Sequence, residues 1–175
     1  MIERNKVVLV NEQDDPIGEM EKMEAHVKGE LHRAFSVFVF NDKGKMLLQQ
    51  RAINKYHGGG LWTNACCSHP QLGEHVIDAA SERLKFEMGL NCNLSFLYSF
   101  LYKAEVENNL IVHELDHVFI GQTNNQPCPN EMEVENYKWI SVDCLKKDVE
   151  KNPDRYTYWF TAALPKVLNN LKTNT

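Results

Sequence analysis

The chain has 175 residues, of which 43% are hydrophobic and 25% are charged, a composition typical of a soluble globular domain. No apolar run approaches the roughly 20 residues that cross a bilayer, and with a net charge of −5 no basic tract is present that could bind a nucleic-acid backbone. The charged start "MIERNKVVLV" does not fit a secretory signal, so we expect a cytoplasmic protein with one domain over residues 1–175.

The first third of the chain carries strand signals. "KVVLV", residues 6–10, predicts a strand that ends at a turn around "DDPIG", and "MEKMEAHVKG" after it predicts a short helix. The apolar runs "HRAFSVFVF" and "KMLLQQR" are separated by the turn sequence "NDKG" and predict a β-hairpin.

The central segment "GEHVIDAASERLKFEMG" has the period of an amphipathic helix. Val76, Ala79, Ala80 and Leu84 fall on one stripe, and Gly89 is placed to end the helix in the left-handed conformation. Two strand-like runs follow, "LSFLYSFLYKA" and "NLIVHELDHVFIG".

Two helical segments end the chain. "SVDCLKKDVEKN" begins with Ser141 as a candidate N-cap, and "YTYWFTAALPKVLNNLK" reads as a helix interrupted at Pro165. Taken together, the elements predict an α/β (α+β) domain in which a mixed β-sheet lies between helices.

The stretch "NACCSHP", residues 64–70, sets two adjacent cysteines two residues before a histidine. The chain has five cysteines, an odd number, with no C-x-x-C pair, and adjacent cysteines rarely bond to each other, which argues against disulfides. A buried filler sequence and an active-site thiol both remain possible readings of this stretch.

Four residues at the ends of separate elements could meet in one metal site. Three imidazoles and a carboxylate suit a borderline divalent ion such as Zn²⁺ or Mn²⁺, although a single histidine is more often a surface or hydrogen-bonded residue. The candidates are His26, His32, His69 and Glu114.

Four basic residues could form a diphosphate clamp. Each alone is more often a solvated surface charge, but fork-shaped arginine and point-charge lysine together neutralise a polyanion. Glu87 follows Arg83 by one helical turn, where it could hold a Mg²⁺ that bridges to the phosphate. The four are Lys22, Arg51, Lys55 and Arg83.

The order and content of these segments resemble type I isopentenyl diphosphate isomerase, a branch of the Nudix superfamily. The resemblance is carried by "EKMEAH", "ELHRAFSVFVF", "QQRAINK", "GGGLWTNACCSHP", "SERLKFEMG" and "LIVHELDHVF", and it runs from about residue 6 to residue 160. It implies a Nudix-like fold and an enzyme that interconverts isopentenyl and dimethylallyl diphosphate, for isoprenoid biosynthesis, through a tertiary carbocation.

The resemblance also implies roles for single residues. Cys67, not Cys66, would be the catalytic thiol, opposed by Glu114 as acid and base, with Tyr102 and Trp159 lining the hydrocarbon end of the pocket. The four-residue cluster would hold one divalent ion (Mn²⁺, Zn²⁺ or Mg²⁺), and the four cations would contact the diphosphate together with Mg²⁺ on Glu87. The expected partner is a small molecule, and we expect a monomer or a weak homodimer.

Two alternatives remain: a Nudix hydrolase of a nucleoside or sugar diphosphate, and a catalytically inactive diphosphate-binding module. The hydrolytic motif requires a set of metal-binding carboxylates on the helix, and aligned on Gly89 this chain has Arg83 and Phe86 at two of those positions. The chain also departs from the isomerase family: in "VHE", where that family has the first of two glutamates, this chain has Val112. We therefore expect weaker metal binding rather than a lost site.

Overall fold

A computed structural model describes residues 4–173; residues 1–3 and 174–175 of the predicted domain lie outside this range. The helices are α1 (Lys22–Lys28), α2 (Val76–Met88), α3 (Val142–Lys151) and α4 (Tyr158–Thr173), and 3₁₀ turns occur at Glu107–Asn109 and Pro153–Arg155. The strands are β1 (Lys6–Val10), β2 (Pro16–Glu21), β3 (His32–Phe40), β4 (Lys45–Arg51), β5 (Trp62–Thr63), β6 (Cys66–Ser68), β7 (Leu94–Val106), β8 (Leu110–Gln122) and β9 (Val134–Ser141).

The nine strands form one mixed sheet that is organised around β3. β3 pairs in parallel with β8 and antiparallel with β1, β4 and β6. The remaining strands extend the sheet antiparallel, with β2 on β1, β5 and β9 on β4, and β7 on β8. A mixed sheet of this kind agrees with the predicted fold class.

The side chains of β3 alternate between two apolar cores, one on each face of the sheet. Phe35, Val37 and Val39 pack with the buried stripe of α2, whereas Phe38 and Phe40 pack with α3 and α4. Full burial of one such aromatic side chain contributes about 2 kcal/mol. The sheet therefore lies between α2 and the pair α3 and α4, as predicted.

The register of β3 determines which side chains meet in the site. In the parallel pair, His32 lies opposite Glu114 of β8. On the other side of β3, Ser36 lies opposite Cys67 of β6. The buried run "HRAFSVFVF" thus brings together a histidine, a carboxylate and a thiol that are far apart in the sequence.

Helix α2 has the predicted stripe and the predicted end. Ala79, Ala80 and Leu84 are buried, and Gly89 adopts the left-handed conformation with φ 65°. A Cβ at Gly89 would lie 2.6 Å from the carbonyl oxygen of Cys128, so steric contact as well as backbone conformation favours glycine there. No helix within residues 4–173 is both long enough and apolar enough to cross a membrane.

The fold differs from the sequence predictions in several strands, among them the short β5 and β6, and in one helix. β2, Pro16–Glu21, and β9, Val134–Ser141, were not predicted because neither shows a regular alternation of buried and exposed residues. The predicted interruption at Pro165 is wrong, because α4 continues through it. Proline removes one backbone hydrogen bond, but buried Leu164 and Val167 on either side keep the helix packed on the sheet.

Candidate active site

A cleft, partly open to solvent, lies where β3, β4, β6, α2 and the loop after β4 meet. Cations, carboxylates, imidazoles, a thiol and an indole all contribute to its wall. The lining residues are Lys22, Ala34, Phe35, Ser36, Gln49, Arg51, Lys55, Tyr56, His57, Cys67, Ser68, His69, Arg83, Glu87, Glu114 and Trp159.

His26 and His32 are completely buried and have fixed tautomers. Nδ1 of His26 lies 2.7 Å from the carbonyl oxygen of Lys22, and Nδ1 of His32 lies 2.8 Å from that of Glu30. Because a carbonyl oxygen only accepts, each Nδ1 carries the proton and each Nε2 carries a lone pair. Both Nε2 atoms are buried without a hydrogen-bond partner, which is the arrangement of a histidine that ligates a metal.

The four predicted ligands converge. One ligand atom from each of His26, His32, His69 and Glu114 lies within 4.8 Å of all the others, and no second group of three or more such residues occurs within residues 4–173. Oε1 of Glu114 is 3.0 Å from Nε2 of His69 and 3.4 Å from Nε2 of His32. Burial lowers the pKa of His26 and lowers that of His69 to about 4, so both imidazoles are neutral at pH 7. The donor set fits a divalent ion.

Tyr102 lies behind Glu114 rather than on the predicted cavity wall. Its hydroxyl donates a short hydrogen bond to Oε2 of Glu114, and its ring is buried in the core under α4. Burial and the neighbouring Glu114 carboxylate raise the pKa of Tyr102 well above its usual value. The phenol therefore keeps its proton and orients the second oxygen of Glu114.

The Cys67 thiol contacts four polar side chains of the described residues, of which Thr63 is the farthest, with Oγ1 4.0 Å from Sγ. The indole Nε1–H of Trp159 donates to Sγ at 3.0 Å, and the thiol donates to Oδ1 of Asn64 at 3.1 Å. Ser36 Oγ is 3.6 Å from Sγ and donates to Oδ2 of buried Asp116 at 2.7 Å. Burial, with a contribution from Asp116, raises the pKa of Cys67 to about 12, so the resting group is the thiol.

The neighbouring Cys66 is placed quite differently. It is fully buried in the core beneath α2, because successive residues of β6 point to opposite faces of the sheet. The adjacent cysteines are therefore neither a disulfide nor a shared metal pair, since both are free thiols.

Alkylation rates should distinguish the Cys67 thiol from the exposed thiols. A raised pKa lowers the thiolate fraction at a given pH, so iodoacetamide at pH 8 should modify exposed Cys128 and Cys144 about a thousandfold faster than Cys67. Peptide mass spectrometry over time measures each rate, and the Cys67 rate should still rise between pH 8 and pH 10. A Cys67 rate that matches Cys144, or that levels off below pH 9, would contradict the placement of this thiol.

The four predicted cations lie on the wall of the cleft. The guanidinium of Arg51 stacks 5.2 Å from the ring of Trp159, and Nζ of Lys22 lies 5.2 Å from the ring of Tyr56. Burial, together with the charges of Lys55 and Arg83, lowers the pKa of Lys22. The four cations line the same cleft, an arrangement that suits one polyanion.

Two carboxylates lie among these cations. Glu87 accepts a hydrogen bond from Nη2 of Arg83 at 2.5 Å and another from Nε2 of Gln49 at 3.0 Å. Glu133, which precedes β9, accepts a short hydrogen bond from Nζ of Lys55 and lies 3.4 Å from Nη2 of Arg83. The predicted Mg²⁺ position at Glu87 therefore has a second acidic group nearby.

Several residues of the site were missed by the sequence analysis. Glu133 stands outside the motifs, the contact of Asp116 with Ser36 was not predicted although "LIVHELDHVF" contains it, and Asn64 within "NACCSHP" was treated only as part of the family signature. His57 lines the cleft 5.5 Å from the ring of Trp159, and burial, with the charge of Arg51, lowers its pKa to about 3. A polar residue in a glycine-rich loop, as His57 is, was the available signal.

The helix motif of the hydrolases is also rearranged in space. Glu74 and Glu82, which the alignment on Gly89 places at the first glutamate and at the arginine, both face the guanidinium of Arg4. The side chain of Phe86 lies against Arg83, 4.8 Å from the guanidinium to the ring. Of the helix carboxylates, only Glu87 faces the cleft within the described residues.

Similarity to known proteins agrees with the fold. The profile of the NUDIX domain matches residues 30–160. Among solved structures, the MutT protein from Methanosarcina mazei has a TM-score of 0.64 at 16% identity and covers 80% of this chain and 95% of its own. The NUDIX domain of Shewanella oneidensis NrtR, solved with ADP ribose, has a TM-score of 0.61 at 14% identity and covers 81% and 87%. At these identities, the likeness concerns the fold alone.

Curated relatives are much closer in sequence. The isopentenyl-diphosphate Delta-isomerase of Pectobacterium atrosepticum is 48% identical over 93% of this chain and 90% of the relative. Isopentenyl-diphosphate Delta-isomerase 2 of Photorhabdus laumondii is 50% identical over 94% of this chain and 91% of the relative. The chain therefore belongs to the Nudix superfamily and, within it, to the isopentenyl-diphosphate Delta-isomerase family.

Proposed function

We propose that the cleft interconverts isopentenyl diphosphate and dimethylallyl diphosphate, with Cys67 and Glu114 as its acid–base pair. The observation that carries the proposal is that both groups line one cleft whose remaining wall carries four cations. This arrangement supports a pose in which the cations hold the diphosphate and the hydrocarbon lies near the two proton-transfer groups. The names of the relatives support the same activity.

The reaction requires one proton to be added and another removed. Protonation of the terminal carbon of the alkene gives a tertiary cation at the neighbouring carbon, and loss of a proton from the carbon on its other side forms the new double bond. One group acts as acid and the other as base, so the pair ends the turnover with its protons exchanged. The Trp159 indole, 5% exposed, can stabilise the cation, and the reaction also requires that bound substrate displaces water that would trap the cation as an alcohol.

A divalent ion would be held by His26, His32, His69 and Glu114, where it would polarise the Glu114 carboxyl group. A Mg²⁺ would be held by Glu87 against the diphosphate. The chain's own groups orient Glu114 independently, because Tyr102 fixes its second oxygen. Metal analysis of the purified protein would identify the bound ion as Mn²⁺, Zn²⁺ or Mg²⁺.

Val112 is expected to weaken the metal site. It lies on the same face of β8 as Glu114 and is 1% exposed in the apolar core, so it offers no ligand. We predict that the wild type loses its metal to EDTA and that Val112→Glu retains it about tenfold longer, if the added carboxylate reaches the ion. Metal content by mass spectrometry during dialysis measures this, with Val112→Leu as the apolar control. Full retention of metal by the wild type would contradict the prediction.

The isomerase assignment is favoured over hydrolysis for a structural reason. Arg83 and Phe86 stand at two of the carboxylate positions of the hydrolase motif, and Glu74, at the first glutamate, is bound to Arg4, so the carboxylates that would activate water on a metal are not assembled at the cleft. An inactive binding module would need only the cations, whereas Cys67, Glu114 and Trp159 are also present in the cleft.

The test is to identify the product. ³¹P and ¹H NMR of isopentenyl diphosphate with the protein and Mg²⁺ should show dimethylallyl diphosphate with both phosphates retained. Release of inorganic phosphate or of a monophosphate would support the hydrolase, and an unchanged substrate would support the inactive module. We further propose that residues 1–175 act as a single cytoplasmic domain, as a monomer or a weak homodimer, which gel filtration and light scattering would test.

A further inference from the structure

The cation cluster has an acidic member that the isomerisation chemistry does not use. Glu133 is half-buried, and its Oε2 accepts from Nζ of Lys55 while lying 3.4 Å from Nη2 of Arg83. Both cations line the cleft. The Glu133 carboxylate therefore lies beside two of the four cations that would contact a bound diphosphate.

The backbone holds Glu133 in this place. Its carbonyl oxygen accepts from the amide of Ala52 at 3.0 Å, and its own amide donates to the carbonyl oxygen of Asn130 at 2.9 Å. Ala52 begins the loop that carries Lys55. A backbone hydrogen bond therefore holds the segment with the Glu133 carboxylate against the loop with the Lys55 ammonium. Glu133 is thus a fixed part of the clamp rather than a surface side chain that happens to be near it.

The contact between Glu133 and Arg83 affects phosphate binding because the number of N–H donors on Arg83 is limited. Nη2 has two N–H groups; it donates to Glu87 at 2.5 Å and lies 3.4 Å from Oε2 of Glu133. A phosphate oxygen that approaches the same nitrogen must displace or share with a carboxylate, and it is repelled by the negative charge in either case.

We propose that Glu133 sets the diphosphate affinity of the cleft by competing with the diphosphate for Lys55 and Arg83. The inference rests on the proposed diphosphate role of these cations and adds a function to a residue outside the acid–base pair. Its consequence is a site that binds its ligand less tightly than four cations alone would, and that releases a diphosphate product faster.

The test is binding of inorganic diphosphate to the full chain by isothermal titration calorimetry, with and without Mg²⁺. Glu133→Gln keeps the size and a hydrogen-bond acceptor for Lys55 but removes the charge. It should bind diphosphate about tenfold more tightly than the wild type under both conditions, an effect of the size expected when one like charge is removed a few ångströms away. Glu133→Ala, which also removes the charge, should change the affinity in the same direction.

Glu135→Gln is the matched control, because Glu135 is an exposed glutamate two residues away on β9; its affinity should equal that of the wild type. Unchanged or weaker binding by Glu133→Gln would overturn the inference while leaving the isomerase proposal intact. Weaker binding only with Mg²⁺ would overturn it in favour of a metal-ligand role. Failure of the wild type itself to bind diphosphate would overturn the phosphate-site assignment, and the inference with it.

Discussion

Replacement of Cys67 by alanine should lower kcat by at least about a thousandfold while leaving diphosphate binding nearly unchanged. The thiol is one of the two groups that transfer protons, and loss of such a group commonly costs 10² to 10⁴ in rate. Sγ is held by the uncharged side chains of Trp159, Asn64 and Ser36 rather than by the cations that would contact the diphosphate. Steady-state kinetics together with calorimetry of inorganic diphosphate would separate the two effects.

The matched control is the adjacent cysteine. Cys66→Ala removes one sulfur atom from the core beneath α2 and should reduce thermal stability slightly while retaining most of the activity. Equal losses of activity in the two variants would mean that the effect at residue 67 is structural. Retained activity in Cys67→Ala would exclude the thiol from the reaction.

Replacement of Glu114 by glutamine should have a similarly large effect and should also remove bound metal. The carboxylate is 3.0 Å from His69 and accepts from Tyr102, so one isosteric change removes the charge that both the metal ligands and the acid–base reaction need. We expect a loss of at least about a thousandfold in kcat and a metal content near zero, measured on the same preparation.

Glu105→Gln is a suitable control for this variant. Glu105 is an exposed glutamate on β7, the strand beside β8, so its replacement changes the net charge equally but leaves the cleft untouched. Full metal occupancy in Glu114→Gln would show that the histidines suffice as ligands. Near-normal turnover in that variant would contradict the assignment of the carboxylate.

Much of the fold can be predicted because local signals and burial agree. The apolar run "HRAFSVFVF" predicts β3, and the two cores, one on each face of the sheet, are the reason that the strand is apolar on both faces. The stripe and the terminal Gly89 of α2 likewise follow from packing and from the steric limit imposed by Cys128. β2 and β9 escape prediction because their residues are mostly exposed or half-buried, so hydropathy does not mark them.

The residues of the site likewise fall into those that the sequence predicts and those that only the fold reveals. The histidines, Cys67 and Glu114 can be named from the family resemblance, and the structure adds why they converge, since the register of β3 places His32 beside Glu114. Glu133 could not be foreseen, because its contact with Lys55 spans 78 residues and depends on how the segment before β9 crosses the loop after β4. The link between Asp116 and the Cys67 thiol could not be foreseen either, since only the fold shows that Ser36 connects the two groups.

The most direct test of the proposed acid–base pair is deuterium incorporation during turnover in D₂O. Isopentenyl diphosphate incubated with the wild type should give dimethylallyl diphosphate that carries deuterium in a methyl group, as ²H NMR would show, and Cys67→Ala should give none above background. Deuterated product formed equally by both proteins would contradict the role of Cys67. Product without deuterium at early times would mean that the added proton comes from a group shielded from solvent, or from the substrate itself, rather than from an exchangeable acid in the cleft.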